Sequence, residues 1–411
     1  MTLTARAFAA LIGGLAAGIV LAATTAPDVV DRVASVAEPV GGVWLDALQG
    51  TIIPLVFGLL VTAVTSAAGT AAASRLAGKA LLIFAILALL SGTLSVLLVP
   101  ALIDLWPIPA QAAKALLAQE QGDTPAVAMS AAAWFRSFVP PNIVAAASKG
   151  AMLPIVVFAL AFALALTRID AAARALVNSF FDAVVQTMLV LVHWVLLAAP
   201  VGVFALALLV GARAGVGAIG VLAHYVTIVI VAQLMLIALI YAGVALFIRG
   251  GLAGFVRAAL PAQIVAISTQ SSIATLPAMV EAATGRLHVA EPAARLVLPL
   301  AVSVFRITSP LANLAVVIYV AALHGVALSP LTLAAGVAVA FAVSIAAVGL
   351  PGQVSFITSV APIAIAMGIP IGTLPLLIAV EMLPDIFRTL GNVTADLAVT
   401  AGLARLEPAP E

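Results

Sequence analysis

The sequence predicts an all-α polytopic membrane protein without a second, soluble domain, and three observations carry that prediction. Hydrophobic residues make up 65% of the 411 residues and charged residues 8%, and the mean hydropathy of +1.30 lies far outside the range of soluble globular chains. Apolar runs of about 20 residues recur along the chain, the length a helix needs to cross a bilayer core. The runs lack the two-residue alternation of a membrane barrel, so a helical bundle in a lipid bilayer follows. The net charge of +1 and the lack of a basic run argue against nucleic acid or a strongly anionic partner. The absence of cysteine excludes disulfides and thiolate metal sites.

The first segment, 7–24, follows Arg6. It reads as a retained helix, because the chain after it is as hydrophobic as its start. The alternative is a cleaved secretory signal ending in Ala-Ala-Thr-Thr-Ala. A polar connection with Asp28, Asp31, Arg32 and Glu38 leads to a second segment, 43–67, and a loop with Arg75 and Lys79 leads to a third, 80–105. The longest polar stretch, 107–149, holds Lys114, Glu120, Asp123 and Arg136 and reads as interfacial or short helices outside the membrane. A fourth segment, 152–166, a loop with Arg168, Asp170 and Arg174, and segments 176–210 and 216–248 follow. With both termini cytoplasmic, Arg6, Arg75, Lys79, Arg168, Arg174, Arg249, Arg257 and Arg405 all fall inside, in agreement with the positive-inside rule.

After Arg257 the apolar runs shorten and are broken at 268–277, which contains Ser271 and Ser272, and at 344–352, which contains Ser344, Gly349 and Pro351. Irregular backbone at membrane depth survives only where it is buried in protein or lines a cavity, and paired interruptions point to a transporter's binding site. The alternative is two ordinary extramembrane loops.

The last segment holds the densest charge. At about 100° per residue, Glu381, Asp385, Arg388, Asn392 and Asp396 fall on one stripe of a helix, with Thr389 at its edge and mostly apolar residues on the other faces. Several ionisable groups on one stripe at membrane depth call for a ligand or for partners. An exposed amphipathic tail with helical salt bridges is the alternative.

The pattern Asp385-x-x-Arg388-Thr389-x-x-Asn392-x-x-x-Asp396 resembles the eighth-helix motif of the glutamate transporter family, the dicarboxylate/amino acid:cation symporters. Thr275-Leu-Pro277 after a serine cluster resembles the tip of that family's first re-entrant hairpin, and Gly349-Leu-Pro-Gly352 the tip of its second. The resemblance covers essentially the whole chain. It implies eight transmembrane helices plus two re-entrant helical hairpins, in a homotrimer of the cell inner membrane. Residues 1–76 (helices one and two) and 107–212 (an outer loop with helices four and five) would form a scaffold. Residues 77–106 (helix three) and 213–411 (helix six, first hairpin, helix seven, second hairpin, helix eight) would form a transport domain that slides as an elevator.

Carried over residue by residue, the resemblance gives Arg388 the substrate's side-chain carboxylate, which a guanidinium fork grips in bidentate fashion. Asp385 would take the substrate ammonium, and Thr389 and Asn392 its backbone. Ser271, Ser272 and Ser309 would complete the substrate site, and the second hairpin near Gly349 and Pro351 would be its lid. Having both Asp385 and Arg388 favours L-aspartate or L-glutamate over a C4-dicarboxylate, the alternative substrate. Gln270 stands where some relatives place an arginine.

The chain departs from the family where sodium binds. The seventh-helix sequence Asn-Met-Asp-Gly-Thr aligns with Phe305-Arg306-Ile307-Thr308-Ser309, and the oxygen ligands of helix three align with Phe84, Leu87 and Ala88. Asn392 and Asp396 survive and, with Ser344, mark a residual sodium site. An uncompensated buried Asp396 would cost several kcal/mol. Arg306 is therefore expected to stand in for a missing cation near it, snorkelling to an interface being the alternative. A fixed guanidinium is not released with substrate, so sodium coupling is expected to be reduced or lost, leaving protons or exchange. Glu381 and Asp385 are the candidates for carrying a proton, since burial favours the uncharged form of a carboxyl group.

Two other classes remain. An intramembrane hydrolase with Ser271 or Ser272 as nucleophile needs a base, and His193, His224, His288 and His324 all lie outside the hairpins. A channel suits the asymmetric Asp385 and Arg388 pair less well than a zwitterionic diacid does.

Overall fold

A computed structural model describes residues 3–73, 75–109, 113, 139, 141–149, 151–214, 217–247, 251–346 and 352–406, and among them the chain is helical with no strand. The helices are α1 Leu3–Thr24, α2 Pro27–Gln49, α3 Ile52–Ala73, α4 Arg75–Leu105, α5 Ile143–Ser148, α6 Met152–Leu166, α7 Ala171–Leu197, α8 Ala199–Ala214 and α9 Gly217–Phe247. They continue with α10 Gly251–Thr269, α11 Ser272–Glu281 and its π-helical extension Ala282–Arg286, α12 Glu291–Val304, α13 Thr308–Leu323, α14 Pro330–Ala346, α15 Gly352–Ala366, α16 Leu374–Val380 and α17 Met382–Leu406. Among the described residues α4, α7, α9 and α10 are long and apolar enough to cross a membrane.

Several boundaries differ from the sequence expectation, and proline accounts for two of them. The polar connection at Asp28–Glu38 is helical: it forms the first half of α2, where Asp28 sits in the first turn and pairs with Arg32 at 2.5 Å, one turn on. Segment 43–67 is interrupted at Gly50 and Thr51, because Pro54 has no N–H to donate to the carbonyl of Gly50. Segment 176–210 breaks at Ala198 in the same way: Pro200 cannot donate to Leu196, and Ala198 N turns instead to Val195 O at 3.1 Å. Segment 152–166 is α6 as expected. In the polar stretch, α5 is capped by Asn142, whose Oδ1 accepts from Val144 N at 2.9 Å and Ala145 N at 3.1 Å. Lys114, Glu120, Asp123 and Arg136 lie outside the described residues.

Packing positions the last third of the chain at the centre. Helix α1 runs against α8 so closely that a Cβ on Gly18 would lie 2.1 Å from Leu208 O and one on Gly211 2.3 Å from Leu15 O. Helix α3 rests on α6 and α7 through Phe57, Phe158, Phe162 and Phe181, with ring centroids 5.4–6.3 Å apart. Helix α13 is buried along nearly its whole length against α4, α9, α14 and α15. Helix α17 packs on α9, α10 and α12, and Gly391 allows the closest approach, since a Cβ there would lie 2.4 Å from Thr308 Cγ2.

Candidate substrate and coupling site

The charged stripe lies on α17 and the turn before it. Pro384 cannot donate to the carbonyl of Val380, so α16 ends there. Glu381 occupies the turn, donating from its N to Ile378 O at 3.3 Å and accepting from Asp385 N at 2.9 Å. Glu381, Arg388, Thr389, Asn392 and Asp396 are buried, and Asp385 is half-buried. Arg388 Nη2 donates to Glu381 Oε1 at 2.5 Å, and its Nη1 lies 3.7 Å from Asp385 Oδ1. Tyr225 OH on α9 donates to the other Glu381 oxygen at 3.4 Å. Arg388 Nε has no hydrogen-bond partner among the described residues, so the guanidinium keeps a donor for a ligand.

The next turn of the stripe is tied to the break between α12 and α13, where Phe305 and Arg306 leave the helix. Asn392 Oδ1 accepts from Thr308 N at 3.1 Å and Thr308 Oγ1 at 2.8 Å, and Thr308 Oγ1 also lies 2.9 Å from Arg388 O. Helix α4 reaches the break from the side: Ser91 Oγ donates to Ile307 O in the unwound stretch, and Ser95 Oγ to Leu311 O, one turn into α13, at 2.9 Å. Thr308, Ser91, Ser95 and Tyr225 are thus parts of the site that the sequence reading did not single out. The one-turn spacing of Ser91 and Ser95 on the face of α4 that carries Phe84 and Ala88 was the available signal.

Where the resemblance leads one to expect oxygen ligands, two aromatic rings meet. Phe84 and Phe305 lie face to face, centroids 4.4 Å apart and 8° between planes. Phe84 and Ala88 line a cavity of about 270 Å³ together with Arg306 and Ser344, whereas Leu87 faces a separate apolar cavity of about 800 Å³. Arg306 is half-buried and lies within electrostatic range of Asp385, Arg388 and Asp396. Asp396 has no exposure, and neither of its carboxylate oxygens has a hydrogen-bond partner among the described residues. No hydrogen bond joins Arg306 to Asp396. Of the three residues expected to mark a residual sodium site, Asp396 and Ser344 have oxygens with no hydrogen-bond partner among the described residues, while the Asn392 oxygen is taken by Thr308.

Helix α10 turns into α11 at Gln270, whose φ of 51° puts it in the left-handed region. Ser271 caps α11 by accepting from Ala274 N at 3.2 Å, and the buried Ser272 Oγ has no partner among the described residues. Helix α11 packs on α17, which brings this turn to the stripe's neighbourhood. Ser309 is buried at the start of α13. Gly349 and Pro351 lie outside the described residues.

The chain that carries this buried arginine among acids, serine turn and broken helix matches the model of the "Sodium:dicarboxylate symporter family" over residues 3–406. The chain belongs to that family. Curated relatives of this member agree. It is 28% identical over 384 residues to the "Proton/glutamate-aspartate symporter" of Escherichia coli, covering 91% of this chain and 86% of the relative. The "Proton/sodium-glutamate symport protein" of Bacillus caldotenax is 26% identical over 364 residues, covering 88% and 86%. The "C4-dicarboxylate transport protein" of Rhizobium johnstonii is 25% identical over 383 residues, covering 90% and 83%. The family and the first two relatives are symporters and the third is a transport protein, so this member is a multi-pass membrane transporter and not an enzyme. Ser271 serves as a helix cap, and the buried His224 contacts Tyr319 and Trp106.

Proposed function

We propose that the chain is a secondary active transporter of acidic amino acids, L-aspartate or L-glutamate, with sodium coupling reduced or lost and Arg306 standing in for a cation. It works by an elevator mechanism as a homotrimer of the cell inner membrane with both termini cytoplasmic. Residues 77–106 and 213–411 are the moving part and 1–76 and 107–212 the scaffold.

The observation that carries this reading is Arg388. Its guanidinium is buried, is held by Glu381, and retains an open Nε. A carboxylate arriving there completes the guanidinium's donor set, while Asp385, at 3.7 Å from Nη1 and more exposed than Glu381, is the acid available to an ammonium group. A substrate with both groups satisfies both residues; a plain dicarboxylate leaves Asp385 without a cation. The printed activity of the E. coli relative supports the same substrate class. The Phe84–Phe305 stack supports loss of sodium coupling, since aromatic rings supply none of the oxygens that hold sodium. Protons or substrate exchange then drive transport, with Glu381 and Asp385 as the proton-carrying acids. Ser271, Ser272, Ser309, Thr389 and Asn392 complete the substrate site, and the segment with Gly349 and Pro351 closes it.

The test is uptake of radiolabelled L-aspartate into proteoliposomes preloaded with unlabelled L-aspartate, with sodium or choline outside, followed by a pH gradient. Equal uptake in the two media is expected, with weak competition by succinate. Strict sodium dependence overturns the coupling reading. Succinate competing as strongly as aspartate overturns the substrate, and favours the C4-dicarboxylate reading that the Rhizobium relative suggests.

A further inference from the structure

Away from the charged stripe, the chain buries one histidine in a network with room for one more hydrogen than the neutral ring supplies. His224, buried on the early turns of α9, lies with Nε2 2.9 Å from Trp106 O and Nδ1 3.0 Å from Tyr319 OH. Tyr319 OH lies in turn 3.1 Å from Val221 O. Both ends of this chain of contacts are carbonyl oxygens, which only accept. Nε2 therefore carries a hydrogen. The Tyr319 hydroxyl has a single hydrogen and two acceptors within reach, Nδ1 and Val221 O, so with a neutral ring only two of the three contacts are hydrogen bonds. A proton on Nδ1 fills all three without moving a heavy atom: Nδ1–H donates to Tyr319 O, Tyr319 O–H to Val221 O, and Nε2–H to Trp106 O.

We propose that His224, Tyr319 and the Trp106 carbonyl form a proton-binding site, separate from the substrate stripe, in which Nδ1 takes up the proton and the fully bonded form ties the ends of α4, α9 and α13 together. Half-exposed Trp106, whose ring meets the imidazole edge-on with centroids 4.5 Å apart, connects the site to the surface at the end of α4. The surroundings are otherwise sparing in charge. Helix α4 brings the exposed Asp104, two residues from Trp106, and α13 brings Tyr319 and, at its end, His324. The junction of α16 and α17 brings Glu381, with Arg388 and Asp385 behind it, and α8 has no described charged side chain. Helix α10 contributes Arg257, but it meets α9 near Tyr241, about 25 Å along the axis from His224. The neighbouring Tyr225 links the site to the stripe. Its ring lies edge-on to Tyr319 with centroids 5.3 Å apart, and its hydroxyl reaches Glu381.

The experiment is a pH titration of the full-length protein in nanodiscs with ¹⁵N-labelled histidine, which reads both ring nitrogens. Single glutamine substitutions of His193, His288 and His324 assign the fourth signal to His224 and leave the site intact. The expected result is a ring with hydrogen on Nε2 alone at high pH that gains a second on Nδ1 as pH falls. In Tyr319→Phe the gain on Nδ1 is weakened, because the Nδ1 hydrogen then has no acceptor. A ring that stays neutral from about pH 4.5 to about pH 8.5, carries its hydrogen on Nδ1 alone, or keeps its midpoint in Tyr319→Phe overturns the proposal. Because the readout involves no transport, it stands or falls independently of the substrate and coupling reading.

Discussion

Phe84 and Phe305 stack face to face with 4.4 Å between centroids, one from the middle of α4 and the other from the residue that ends α12. The stack closes the space beside Arg306 with carbon, and both rings are almost fully buried. Phe305→Ala should therefore destabilise the protein by about 3–5 kcal/mol, the usual cost of truncating a buried phenylalanine, measured by unfolding of the detergent-solubilised protein. Phe305→Asn supplies an oxygen but no full coordination shell, and uptake in this variant should remain equal in sodium and choline.

The ion pair of Arg388 with Glu381 is buried, and the proposed function gives it a part in transport as well. Removing one partner of a buried pair leaves a bare charge and costs about 3–5 kcal/mol, whereas replacing both with apolar groups is close to neutral. Arg388→Leu should thus lower stability by that amount and abolish L-aspartate uptake. Arg388→Leu with Glu381→Leu should regain most of the stability and none of the uptake. A double variant as unstable as the single one would mean that Asp385 or Tyr225 dominates the local electrostatics.

Contact between α17 and α13 depends on the missing side chain of Gly391. A methyl group there meets Thr308 Cγ2 at 2.4 Å and Ile237 Cγ1 at 3.2 Å, so Gly391→Ala should cost about 1–3 kcal/mol and loosen the Asn392–Thr308 bonds. Thr308→Ser removes the obstructing methyl and keeps the hydroxyl. Adding it to Gly391→Ala should recover stability, read as a double-mutant cycle in thermal unfolding.

Helices α1 and α8 meet backbone to backbone. Gly211→Ala brings a Cβ to 2.3 Å from Leu15 O, and main chain cannot step aside as a side chain can. The substitution should cost at least about 3 kcal/mol, at or beyond the upper end of overpacking effects. Gly42→Ala on α2 meets nothing within 4 Å and should instead stabilise by about 0.5–1 kcal/mol through helix propensity. Thermal unfolding of the two variants side by side checks both signs.

Legibility in the sequence followed the range of the physics. The extent of α6 was readable because 152–166 is an uninterrupted apolar run. The breaks at Thr51, Ala198 and Glu381 were each announced by a proline two or three residues on, but not read as helix ends, because the apolar character continues through the first two and the polar stripe runs through the third. Arg306 stood out as a charge in an apolar segment; that it lies outside any helix was not visible, since the unwound Ile307 carbonyl is satisfied by Ser91 of another helix.

By itself the sequence determined that this chain lives in a membrane as a helical bundle and that five polar side chains share one face near its end. Both are sums over local properties: hydropathy adds along a segment, and helical periodicity fixes which residues align. Tertiary structure alone decided how those side chains are used. Thr308 reaches Asn392 across 84 residues and His224 reaches Tyr319 across 95, and Phe84 meets Phe305 because α4 crosses α12 there. Such contacts depend on which helix lies beside which, and on the absence of a Cβ at Gly391 that permits the approach. No local pattern encodes them, because each partner's own surroundings are equally compatible with a different neighbour.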